Sequence, residues 1–128
     1  MIQFLKKIKP ISFWIMISAY FFAGLYHFIN PTFYLEFIPP YFSNPVLINT
    51  LAGIAEIGLA LLLIPQKTRY YAAIGIILML LAFIPAHIHM IALDGKIPNG
   101  PELPLWAAWV RLVVLHPILI IWAWWHRT

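Results

Sequence analysis

Four long apolar runs, separated by short breaks rich in proline or charge, set the pattern of the chain. Residues 11–29 are almost wholly apolar and follow Lys6, Lys7, Lys9 and Pro10. A second run covers 46–64, a third 70–93 and a fourth 104–125. Each is near the ~20 residues a helix needs to cross ~30 Å of hydrocarbon. The first is too long for a signal-peptide core and lacks a small-x-small cleavage site, so it is expected to remain as a membrane helix. Ser43-Asn44-Pro45 predicts the start of the second helix, with a capping side chain and proline in the first turn. The expected fold is all-α: a four-helix transmembrane bundle formed by one domain over residues 1–128.

Inside these runs the polar and small residues fall at helical spacing. Tyr20, Gly24 and His27 share a face of the first helix, and Gly24 permits close approach of a neighbour. Asn49, Ala52, Gly53, Glu56 and Ala60 share a face of the second, which marks that face as the inward one. Pro85 should kink the third helix and free a carbonyl near Leu81. His87 and His89 are two residues apart and point to nearly opposite sides, so only one is expected to face the interior. In the fourth helix Ala107, Ala108, Arg111, Leu115 and Ile118 share a face. His116 lies more than a right angle from it, a difference that a bend at Pro117 would reduce.

The breaks add anchors and orientation. Residues 30–45 hold Pro31, Pro39, Pro40 and Pro45, which exclude a continuous helix, and five aromatic residues: Phe33, Tyr34, Phe37, Tyr41 and Phe42. This aromatic, Pro-rich first extracytoplasmic loop is expected either to anchor in the headgroup region or to lid one end of the bundle. Residues 94–103, with Gly95, Pro98, Gly100 and Pro101, read as a polar loop. Trp106, Trp109, Trp122, Trp124 and Trp125 cluster towards the two ends of the fourth helix, as an aromatic belt does. Lys6, Lys7, Lys9, Lys67, Arg69 and Arg127 all belong to one end of such a bundle, whereas the other end has Lys96 beside Glu36, Asp94 and Glu102. The positive-inside rule then places both termini in the cytoplasm, with the chain multi-pass in the cell membrane.

Composition agrees with that class. The chain is 63% hydrophobic and 9% charged, against ~25% charged in soluble domains. The net charge of +4 follows from helix-end basic residues, which face anionic lipid; the expected partner is the bilayer and not nucleic acid. With no cysteine, thiol exchange, Cys-ligated metal centres and c-type haem attachment are excluded.

The candidate chemistry lies in a few buried ionisable groups. Arg111 sits about two turns inside a spanning helix, where a cation costs at least ~2.5–3.5 kcal/mol unless it meets protein or an anion. Glu56 is the one acidic residue within the four predicted helices. Their depths, ~10 Å and ~15 Å from the outer end, allow an Arg111–Glu56 pair. The expected site is an outer-half pocket lined by Glu56, Arg111, His27 and His87, with Asn49, Tyr20 and His116 as secondary candidates, roofed by the aromatic loop. No metal site is expected, because no Glu-x-x-His or comparable ligand pair occurs at helical spacing. Bis-histidine haem b through His27 and His87 is a weaker alternative. A proton relay is another, without the inverted repeat of transporters.

Four motifs in order also resemble the DoxX-like membrane proteins: Gly24-Leu25-Tyr26-His27-Phe28-Ile29-Asn30-Pro31 with Ile38-Pro39-Pro40-Tyr41; Ala52-Gly53-Ile54-Ala55-Glu56-Ile57-Gly58; Pro85-Ala86-His87-Ile88-His89-Met90; and Trp109-Val110-Arg111-Leu112. The chain departs from that pattern at His87, where asparagine is more usual, and at Leu115, where glutamine often stands. The resemblance implies a four-helix membrane protein, with relatives that serve in thiosulfate:quinone oxidoreductase, oxidative-stress complexes or receptor assembly. Two functions are therefore expected. One is a small subunit of a redox-linked membrane complex that holds a lipid-soluble ligand such as a quinone. The other is a non-catalytic assembly or chaperone subunit whose Glu–Arg core is structural.

Overall fold

The computed structural model describes residues 1–98 and 102–128; the part of the 94–103 loop formed by residues 99–101 lies outside them. Among the described residues four helical spans are long and apolar enough to cross a membrane: Ile2–Ile29, Pro45–Leu62, Gln66–Ala92 and Leu105–Trp125. The first is helix α1. A short helix α2 (Pro31–Leu35) follows, and α3 is Pro45–Leu62. The third span divides into α4 (Gln66–Ala82) and α5 (Ile84–Ala92). The fourth comprises α6 (Leu105–Val110), a π-helical turn (Arg111–Leu115) and α7 (His116–Trp125).

Three predicted boundaries differ from those observed, each for a local reason. Helix α1 begins at Ile2 and carries Pro10 within it, so the lysine-bearing segment is helical. Lysine is a good helix former, and a proline removes only one backbone bond. Asn44 caps α3 as expected, its side chain accepting from the Leu47 amide at 3.1 Å. The third span breaks at Phe83, two residues before Pro85, which sits in the first turn of α5: proline has no N–H to offer the carbonyl four residues back, and its ring crowds that carbonyl. The predicted proline loop contains α2, started by Pro31 at its first position.

Helix α1 packs directly on α3, α3 on α4, and α4 on α7, while α5 meets α6 and the π turn. The α1–α3 approach depends on glycine. A Cβ on Gly24 would lie 2.7 Å from Ile57 Cγ1 and 2.9 Å from the Gly53 carbonyl oxygen, and one on Gly53 would lie 2.9 Å from His27 Cβ. Small residues of this kind let membrane helices pack backbone to backbone. The larger apolar core gathers Met16, Ile17, Leu63, Ala73, Ile76, Leu80 and Ala123 towards the end that bears both termini. A smaller one, Met90, Ile97 and Ala108 with Phe37 against it, closes the loop end. At that end Gly95 adopts φ +77, where a Cβ would strike the Leu103 carbonyl oxygen at 2.1 Å; only glycine fits there. The outward faces are greasy: Phe22, Leu51, Leu78, Val113 and Ile121 are all more than half exposed, as suits contact with lipid.

The terminal end is clasped by a small polar cluster. Trp122 Nε1 donates to Ser12 Oγ at 2.8 Å, and Ser12 Oγ lies 3.0 Å from His126 Nε2. His126 is fully buried. Burial first, then the nearby charges of Lys9 and Arg69, push its pKa down to about 4. Two expected outcomes follow. Gly24→Ala should destabilise the bundle by about 1–3 kcal/mol through overpacking, measured as thermal unfolding in detergent. Because the unfolded chain binds a proton on His126 at ~6.5 and the folded chain only near 4, stability should fall as pH drops between those values and stay level above them. His126→Asn should flatten that slope.

Candidate functional site

Between the two cores the helices enclose a cavity of about 400 Å³, within the range of small-molecule sites. Its walls are mostly apolar. Helix α1 contributes Tyr20 and His27, α3 contributes Asn49 and Glu56, α5 contributes His87, and the fourth span contributes Arg111, His116 and Trp122. The seven residues singled out from sequence thus line a single cavity. The aromatic loop lines it too, through Phe33, Tyr34, Phe37 and Phe42. His87 faces the cavity and His89 does not border it.

At the α1–α3 contact, hydrogen-bond direction determines the proton arrangement. Asn49 Nδ2 donates to the His27 backbone carbonyl at 3.0 Å. A carbonyl only accepts, so the amide orientation is fixed, and Asn49 Oδ1 faces His27 Nδ1 at 2.7 Å. His27 Nδ1 must therefore carry a hydrogen and donate it. The other ring nitrogen, Nε2, lies 3.2 Å from Glu56 Oε2. Two lone pairs would repel there, so the pair together holds one proton, as imidazolium with carboxylate or imidazole with carboxylic acid. Either way it carries no net charge. The Tyr34 ring stacks on the His27 ring, with centroids 3.6 Å apart and planes 17° from parallel. Burial, then Glu56 and Tyr26, push the Tyr34 phenol up to about 12 against the opposing pull of Arg111, so Tyr34 stays protonated.

The expected Arg111–Glu56 pair does not form; Glu56 pairs with His27. Matching depth along two helices does not make two side chains partners, and His27 is brought closer by the glycine-mediated packing of α1 on α3. Among the described residues Arg111 makes no ion pair. Its Nη1 donates to Met90 Sδ at 3.4 Å, and its guanidinium lies 5.7 Å from the centroid of the Phe37 ring. These soft contacts hold the cation without neutralising it. The cavity therefore keeps one uncompensated positive charge.

His116 is inward, contrary to the regular-helix reading. In an α-helix five residues turn the side chain by about 140° net, which would point His116 away from Arg111. Instead the His116 amide bonds the Arg111 carbonyl, five residues back, and this one π turn returns both side chains to the same side. His116 is buried, its Nε2 donates to the Leu80 carbonyl, and its ring meets that of His87 edge-on with centroids 4.8 Å apart. The bonded carbonyl is that of Leu80, one residue from the expected Leu81. Met90 and the stacked Tyr34 had no distinguishing mark in the sequence, since an apolar thioether and one aromatic among five look like packing. No group of three or more potential metal ligands occurs among the described residues.

A family described as "Domain of unknown function (DUF8561)" matches residues 16–127. The chain belongs to the DUF8561 family. No curated protein and no solved structure matches it. Within this DUF8561 chain the matched region contains every residue that lines the cavity.

Asn49→Leu should remove the partners of both the His27 carbonyl and His27 Nδ1. Leaving such buried groups unpaired costs roughly 1–3 kcal/mol. The expected outcome is a lower unfolding temperature in detergent, with the loss smaller when Asn49→Leu is made on a His27→Leu background, where only the residue-27 carbonyl still loses its donor.

Proposed function

We propose that the chain is a membrane protein that binds a lipid-soluble ligand with an oxygen-bearing head, a quinone being the best match, in the cavity between its two cores. The observation that carries this reading is Arg111: a cation in a mostly apolar cavity, held by a thioether and an aromatic ring and by no carboxylate among the described residues. An oxygen acceptor on a ligand would complete its hydrogen bonding, and the apolar walls would take the rest of the molecule. Glu56 and His27 form a neutral proton-holding pair and not a counter-ion for Arg111. His87 and His116 supply further exchangeable sites.

The protein acts, in this reading, as a small subunit of a redox-linked complex in the cell membrane, with both termini cytoplasmic. The concentration of Lys6, Lys7, Lys9, Lys67, Arg69 and Arg127 at the terminal end supports that orientation. The resemblance of four ordered motifs to DoxX-like proteins supports the redox link. A second reading, a non-catalytic assembly subunit with a structural polar core, is favoured by one observation. His27 and Asn49 satisfy each other and join α1 to α3, which a purely structural cluster would also do.

Mass spectrometry of small molecules extracted from protein purified in mild detergent separates the two. A quinone or another defined oxygenated compound should be enriched with wild type and depleted at least tenfold with Arg111→Leu, while both proteins elute as the same monodisperse species. The same bulk lipid in both samples would overturn the ligand reading in favour of the structural one.

A further inference from the structure

We propose that Tyr20 and Glu56 form a hydroxyl-binding subsite that selects the ligand in its ring-hydroxyl, hydroquinone form; this inference rests on the ligand reading above. Both residues line the cavity and both are 7% exposed. Yet the Tyr20 hydroxyl and Glu56 Oε2 each lack a hydrogen-bond partner among the described residues. Oε2 is near His27 Nε2 at 3.2 Å, but not in the directional geometry of a hydrogen bond. Buried polar atoms are seldom left unpaired, and each costs roughly 1–3 kcal/mol.

The two orphans are complementary in kind. A phenol has a hydrogen to donate, and a carboxylate oxygen accepts. A ligand hydroxyl answers both at once, accepting from Tyr20 and donating to Glu56. A quinone carbonyl only accepts: it would satisfy Tyr20 and leave Oε2 unpaired. Sites that demand a hydroxyl discriminate strongly against analogues that lack it, because their own polar groups are then stranded. The surroundings favour a hydroxyl on a flat ring over one on a polyol headgroup. Phe33, Phe37, Phe42, Phe83 and Trp122 border the cavity, offering aromatic faces and few further polar partners. Arg111, in the same cavity, remains available to a second oxygen on that ring.

The test uses full-length protein in detergent, titrated calorimetrically under argon with decyl-benzohydroquinone, decyl-benzoquinone and the dimethyl ether of the hydroquinone. Wild type should bind the hydroquinone at least tenfold tighter than the ether, with the quinone weaker than the hydroquinone. Tyr20→Phe and Glu56→Gln should each weaken hydroquinone binding about five- to tenfold, and Glu56→Gln, which removes the acceptor that only a hydroxyl can use, should leave ether binding unchanged. Tyr20→Phe should not lower the unfolding temperature of ligand-free protein, because its hydroxyl has no partner among the described residues. Equal binding of all three compounds that is still lost in Arg111→Leu would overturn the subsite and spare the ligand reading. A drop in ligand-free stability in Tyr20→Phe would likewise overturn the subsite by revealing a structural role for the hydroxyl. No binding of any of the three would overturn both.

Discussion

The reciprocal hydrogen bonds between His27 and Asn49 determine what the rest of the interior can do. They fix the amide orientation of Asn49 and, through it, the hydrogen on His27 Nδ1. That leaves Nε2 and Glu56 to hold one proton as a pair, so an acid and a base cancel each other's charge locally. In hydrocarbon this cancellation is what makes the pair tolerable, since an isolated ion there costs several kcal/mol or more. It has a second consequence. Glu56, the one carboxylate inside the four spans, is no longer available as counter-ion to Arg111.

The fold creates the space in which that imbalance matters. Gly24 and Gly53 draw α1 and α3 together on one side of the bundle. On the other side the third span breaks at Phe83, and the fourth loosens into a π turn at Arg111–Leu115. One side is pulled tight and the other interrupted, so the polar positions of all four spans open onto a common cavity instead of a packed seam. Apolar cores at both ends keep that cavity from extending the length of the bundle. The aromatic loop completes the lining: Tyr34 lies flat on His27, and Phe37 sits below the guanidinium of Arg111.

Much of this was legible in the sequence, because hydrophobic periodicity in a membrane protein reports directly on which side of a helix meets protein. Tyr20, His27, Asn49 and Glu56 share helical faces with small residues, and those faces are the inward ones. Partnership was not legible. Glu56 and Arg111 match in depth, but depth along two axes says nothing about which neighbouring side chain is nearer, and His27 took the place assigned to Arg111. His116 is among the candidates and lines the cavity, but its angle to Arg111 was not legible, because the π turn inserts a residue into the helical count and no residue in Arg-Leu-Val-Val-Leu announces it. Pro117 suggested a bend, whereas the correction came from a change of winding. Pro10 was read as a boundary, yet one lost backbone bond at an exposed helix end was insufficient to stop α1.

The partners of Arg111 bear on how such a site can be used. A carboxylate partner would hold the guanidinium in a strong, charge-assisted pair, and a ligand would have to compete with it. Met90 Sδ and the Phe37 ring offer weaker, less directional stabilisation. They lower the cost of keeping a cation inside the membrane while leaving most of its donors unfilled. In the proposed reading an incoming oxygen would displace little and gain a charge-assisted hydrogen bond. The neutral His27–Glu56 pair works in the same direction. By adding no net charge and binding Glu56 to His27, it leaves the guanidinium without a competing carboxylate, so in the proposed reading the oxygen of a lipid-soluble molecule would meet Arg111 unopposed. A bundle of this size has few ways to bury a cation and still leave its donors open to a further partner. Soft partners at Arg111 and a self-neutralised acid at Glu56 together provide one.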